Sequence, residues 1–226
     1  MRRDYRVFAA LLTTCVATSA ILGAALRDND LMDLTYGLQK CQIKLAEQPF
    51  VIKKAELVEA SAKGSYQGIQ QLLALNPGAD SEEDLQYAKM KWDVARFDVE
   101  VQQHELAALE SEQRWWKMRS WQLKAKDSKR MASPTMRTSQ ENSALVEQSY
   151  RALWGARSKA AFAEVSAAES RLEYAQAHLL RAQKLYSAGA LSPDEYSHSV
   201  DLYANAKVSL AQAQAKASQM ASLVKP

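Results

Sequence analysis

Arg181-Ala182-Gln183-Lys184-Leu185-Tyr186-Ser187-Ala188-Gly189-Ala190-Leu191-Ser192-Pro193-Asp194-Glu195-Tyr196 is the stretch on which the architecture turns. Alanine-rich heptads run into it and a second set leaves it, so it reads as the sharp turn of a long antiparallel coiled coil. Gly189 is free to take the left-handed conformation that closes a helix. Ser192 caps the next helix, Pro193 occupies its first position, and Glu195 completes a Ser-x-x-Glu capping box.

Working outward, the arm before the turn is the most regular in the chain. Val165, Leu172, Leu179 and Tyr186 fill one heptad row, and Ala161, Ala168, Ala175 and Ala182 fill the other. The arm after it answers with Tyr196, Tyr203, Leu210 and Ala217, and with Ser199, Ala206, Ala213 and Met220. Rows of alanine let two helices approach closely, which suits a hairpin and equally allows pairing between chains.

Further back, a second hairpin pattern precedes this one. Leu31, Leu38, Leu45, Ile52, Glu59, Tyr66 and Leu73 make one row; Leu34, Cys41, Gln48, Ala55, Ala62 and Ile69 make its partner. The polar interruptions Gln48 and Glu59 flank Pro49, which removes a backbone donor and is expected to kink or break the helix. Asn76-Pro77-Gly78-Ala79-Asp80-Ser81-Glu82-Glu83 is the first turn, with Asp80 and Glu83 as a second capping box. The seam resumes at Leu85, Ala88, Trp92, Ala95, Val99, Gln102, Leu106 and Leu109, and continues through Trp116 to Leu123. Periodicity lapses over a polar, proline-containing linker.

The expected organisation is therefore all-α: residues 1–28 as basic leader and anchor, a first hairpin over 29–126 turning at 76–84, a linker at 127–142, and a second hairpin over 143–226 turning at 187–193. Composition agrees. With only 7 Gly and 5 Pro among 226 residues, the chain is too poor in turn formers for a loop-rich fold. No stretch alternates in the Val/Ile/Thr manner of strands. At 1.5 Å rise per residue, the roughly 45 residues before the first turn make an arm of about 65–70 Å. The second ascending arm is about as long, so the two tips are expected at similar heights.

The N-terminus bears on location. Arg2, Arg3 and Arg6 lead into Val7–Leu26, an uncharged run close to the ~20 residues that cross a bilayer. The positive leader keeps that end cytoplasmic and places the body on the far side. An uncleaved anchor, a cleaved signal peptide ending near Gly23-Ala24-Ala25, and a lipoprotein at Cys15 are all open. Each delivers the body outside the cytoplasm; the expectation is a single-pass bacterial inner-membrane protein with a periplasmic C-terminal body. Cys15 and Cys41 make no disulfide framework.

A second segment points to the membrane surface. Arg114, Trp115, Trp116, Lys117, Arg119, Trp121 and Lys124 interleave indoles with cations, as an interfacial anchor does. The alternative is that Trp116 packs in the seam and the cations form a solvated face. A formal charge of +3 implies no nucleic-acid partner. His104, His178 and His198 lie in no His-x-x-x-His or Cys-x-x-Cys setting, so no metal site is expected. There is no phosphate loop or nucleophile elbow, and a coiled coil offers little water-excluding pocket. Catalytic residues and cofactors are expected to be absent.

The stretch from about Ala161 to Ala217 resembles the α-helical hairpin of periplasmic adaptor proteins, the membrane fusion protein (HlyD-like) family. Arg181, Leu185 and Ser192 match the family's tip pattern of Arg, Leu four residues on and Ser seven after that, and Leu210-Ala-Gln-Ala-Gln-Ala looks like its descending arm. No stretch resembles the family's lipoyl-like and β-barrel modules. The resemblance implies a role in efflux or secretion beside an inner-membrane transporter. The tip, Arg181, Leu185 and Ser192, would then meet the periplasmic end of a TolC-type outer-membrane channel, and the chain is expected to be a homo-oligomer. The rival expectation is a structural or spanin-like envelope coiled coil that acts by self-association.

Overall fold

The computed structural model describes the backbone of residues 4–76, 82–128 and 136–224, and side chains over 32–76, 82–123 and 143–224. The described residues form four α-helices: α1 (Asp4–Leu75), α2 (Glu82–Ser128), α3 (Met136–Ser187) and α4 (Pro193–Val224). Among them there is no strand. The chain divides into two compact units, one of residues 1–43 with 113–147, the other of 44–112 with 148–226.

Helix boundaries follow local chemistry. Glu82, Glu83 and Asp84 crowd the first turn of α2, and Asp194 and Glu195 that of α4, where free N–H groups favour negative charge. α3 starts at Met136, inside the stretch expected to be linker. Gln140 and Glu141 are good helix formers, so losing the apolar seam there does not end the helix. α1 runs unbroken through Pro49, which corrects the expected break. One backbone bond is lost, but Gln48, Ile52 and Ala55 hold both sides of the proline in the seam, and the ring lies at the surface.

In the larger unit, α1 and α2 are antiparallel. Gln48 Nε2 donates to Gln102 O (3.0 Å) and Gln102 Oε1 (3.1 Å), and Trp92 Nε1 donates to Glu59 Oε1 at 3.4 Å. Both polar interruptions of the seam thus meet a polar partner on α2, which buried polar groups require. Ala55, Ala88, Ala95 and Val99 are buried between them. Tyr66 stacks on Trp92 with centroids 5.4 Å apart.

α2 carries a second apolar edge. Val101 is buried with Ala160 and Ala163 of α3, and Arg157 Nη2 reaches Glu112 Oε2 at 2.9 Å. The hairpins therefore meet through α2 and α3. α3 and α4 close over the alanine rows: Ala161, Ala168, Ala175, Ala182, Ser199, Ala206 and Ala217 are buried, while Val165, Leu172 and Leu179 flank them half-buried. Lys216 Nζ bridges to Glu164 at 2.6 Å across this pair.

In the smaller unit, Trp116 of α2 lies against Gly37 of α1. A Cβ at Gly37 would stand only 2.7–2.9 Å from its indole ring. Cys41 is buried. Among the described residues no helix is long and apolar enough to cross a membrane. The expected span, Val7–Leu26, lies outside the residues whose side chains are described, as does Cys15.

Candidate partner-docking tip

The turn between α3 and α4 is built almost entirely from its own backbone. Gly189 takes a left-handed φ of 70°. Its N–H donates to Tyr186 O at 3.0 Å, and the N–H of Ala190 reaches back to Leu185 O at 2.9 Å. These two bonds form a Schellman closure, which satisfies carbonyls that the end of α3 leaves without partners.

Two residues on, the capping box is complete. Ser192 Oγ accepts from the N–H of Glu195 (3.2 Å), and the Glu195 carboxylate accepts from Ser192 N (3.0 Å) and Ser192 Oγ (2.7 Å). Hydrogen bonds from the Ser192 backbone and hydroxyl hold the Glu195 carboxyl below its ordinary value. Buried Ser199 donates its hydroxyl to Glu195 O at 3.0 Å, one turn further. Tyr186 and Tyr196 stack across the mouth of the turn at 4.8 Å, nearly parallel.

Below the turn lies a groove of about 480 Å³, bordered by Glu83, His178, Arg181, Leu185, Leu191 and His198. Glu83 comes from the first turn of α2. Its carboxylate takes His178 Nε2 (3.1 Å) on one oxygen and Arg181 Nη1 (3.1 Å) on the other. Tyr174, one turn below His178, meets Tyr87 at a tilt with ring centroids 5.3 Å apart. Burial pushes its phenol above the ordinary value, and the Glu83 carboxylate adds to the rise.

The three tip residues expected from sequence thus fare differently. Leu185 stands 40% exposed on the groove's outer edge. Arg181 shares the groove, but its guanidinium is tied to Glu83, leaving the side chain 46% exposed. Ser192 sits at the turn itself, and its hydroxyl donates to Glu195. By sequence Glu83 is only a capping-box member with Asp80, which lies outside the described residues. His178, in no ligand motif, is its partner. No local signal joins them, because they lie on different hairpins.

At the other candidate segment, Arg114, Lys117, Arg119 and Trp121 are exposed, and Trp115 and Trp116 are half-buried, meeting edge to face at 4.6 Å. The Lys124 side chain is outside the described residues. Among the described residues, no group of three or more His, Cys, Asp or Glu side chains could hold a metal ion.

No protein-family model matches the sequence, and no curated protein or solved structure matches it.

Proposed function

We propose that this chain is a membrane-anchored helical-hairpin adaptor of the cell envelope, and that the tip of its second hairpin docks a partner. The observation that carries the reading is the tip itself. A Schellman closure, a capping box and a tyrosine stack order the turn without any partner. An apolar side chain, Leu185, is nevertheless left exposed beside a groove that Glu83, His178 and Arg181 also line. A preordered tip loses little conformational entropy on docking.

The partner proposed is the helical periplasmic end of a TolC-type outer-membrane channel, with a transporter at the inner membrane. Leu185 supplies the apolar contact. Arg181 is held by Glu83 in an orientation from which its remaining N–H groups can donate to a carbonyl or carboxylate. Ser192 holds the turn. The basic leader and Val7–Leu26 supply the inner-membrane anchor, and Trp121, Arg119 and Lys117 rest at the headgroups. Trp116 against Gly37 brings that segment back toward the end of α1 from which the anchor extends.

The test is an in-cell photo-crosslinker at Leu185, at normal expression, with mass spectrometry of the adduct. Capture of an envelope channel is expected. An empty Leu185 together with adducts only between copies of the chain overturns the reading in favour of a structural coiled coil. Exposed apolar residues along α1 are the observation that keeps that second reading in view.

A further inference from the structure

Within the larger unit, α1, α2 and α3 border a groove of about 980 Å³. Its floor is α2, where Met90 and Val94 are half-buried and Val101 is buried. One wall is α1, with Leu57 62% and Val58 52% exposed. The other is α3, which contributes buried Ala167 and exposed Arg171. Leu57 and Val58 lie outside the seam rows of α1, so packing against α2 does not account for them. Large apolar side chains left open along a concave surface mark a place where a partner sits.

The charges around the groove give the partner a sign. Glu164 on the α3 wall is already neutralised, since Lys216 Nζ donates to both its oxygens at 2.6 and 2.7 Å. Lys54 on the α1 wall, Lys91 on the floor and Arg171 on the α3 wall have no carboxylate partner among the described residues; Lys91 rests over the Tyr87 ring at 4.2 Å. Against these three cations stands the carboxylate of Asp98, which accepts from Gln102 Nε2 at 3.4 Å. The groove is therefore apolar along its floor and positive on both walls.

The walls also decide the partner's backbone. All three are helices, whose N–H and C=O groups are spent on their own turns, so an extended peptide would find no backbone partner here. A helix brings its backbone already satisfied and offers only side chains. We propose that this groove takes an amphipathic helix of a partner protein, with acidic side chains along both edges of its apolar stripe. From Met90 to Val101 the floor runs about 16 Å, which three turns of such a helix cover. Its apolar stripe meets Leu57, Val58 and Val94, and its flanking carboxylates meet Lys54 on one side and Arg171 on the other. The groove shares no lining residue with the groove at the tip, so the outcome here is separate from that of the crosslink at Leu185.

The experiment uses the full chain in mild detergent and two labelled synthetic peptides of about 15 residues, each with leucine at i, i+4, i+7 and i+11. One peptide carries glutamate beside the leucines and the other carries lysine. Fluorescence anisotropy is expected to show the glutamate peptide bound at least roughly tenfold more tightly, with the difference shrinking at high salt. In Lys54→Glu/Lys91→Glu/Arg171→Glu the preference is expected to reverse. Val58→Asp puts a charge into the apolar wall and is expected to abolish binding of both peptides. All four positions are exposed, so each variant is expected to keep the parent's thermal midpoint. In cells, a photo-crosslinker at Leu57 is expected to capture an acidic amphipathic segment of another protein, mapped by mass spectrometry, and to lose that adduct in the triple variant. A glutamate peptide that does not bind, a preference that survives charge reversal, or adducts at Leu57 only with lipid or with another copy of this chain overturns the proposal.

Discussion

At the scale of single residues, the second turn is legible because its bonds span three to five positions. Gly189, Ser192 and Glu195 each have their structural partner within one helical turn, so backbone conformation and capping chemistry decide them alone. Replacing Ser192 by alanine should cost about 1 kcal/mol, as N-cap losses do. The carboxylate adds a pH signature. Glu195 has its folded value lowered from the ordinary 4.5, so its contribution is complete above pH 4.5 and fades as pH falls through the lower folded value. Amide exchange in the first turn of α4 should therefore be slower in the parent than in Glu195→Gln near neutrality. The two should converge in acid; a gap that survives full protonation would place the effect elsewhere. Glu83 teaches the opposite lesson. Its partners His178 and Arg181 lie on another hairpin, and no spacing rule could have joined them. With both partners a quarter or more exposed, these pairs orient the groove more than they stabilise the fold.

At the scale of helices, the heptad rows are legible because a seam imposes its period on the sequence. Leu34, Cys41, Gln48 and Ala55 are all buried, in steps of seven. What periodicity does not report is how close two helices come. Gly37 shows this: it occupies an unremarkable position in the sequence, yet Trp116 fills the space its side chain would need. Gly37→Ala should gain about 1 kcal/mol in helix propensity, but with three ring atoms of Trp116 at 2.7–2.9 Å from the new Cβ the overpacking loss falls in the upper part of the about 1–3 kcal/mol range, so the net change is a loss. Gly155→Ala meets nothing within 4 Å and should show the gain alone. Thermal midpoints moving in opposite directions, with altered tryptophan emission only for Gly37→Ala, would bear this out. The break expected at Pro49 fails for a related reason: the penalty of one missing bond says nothing of the packing that holds α1 on either side of it.

At the scale of the molecule, the decisive fact is that α2 has two packed edges. Ala88, Ala95 and Val99 continue the seam with α1, while Val101 faces Ala160 and Ala163 of α3. The second edge joins the hairpins in the larger unit. Ala160→Leu should overpack this junction and cost about 1–3 kcal/mol in urea unfolding. Ala152→Leu, the same change at an exposed position on the same helix, should stay within about 0.5 kcal/mol. If the two substitutions behave alike, α2 and α3 are not packed as described.

By itself, the sequence determined that the chain is helical, that it folds back sharply at 187–193, and which rows of residues face the first partner helix. These follow from propensity, capping and period, all of which act within a few turns of one helix. Only the tertiary structure decided that the hairpins meet through α2 and α3, that Glu83 takes Arg181 and His178, that Gly37 receives an indole, and that Phe50 and Leu57 stay exposed. Each depends on which faces are left over once the first seam is filled. That choice is set by the volumes and charges of residues far apart in the chain.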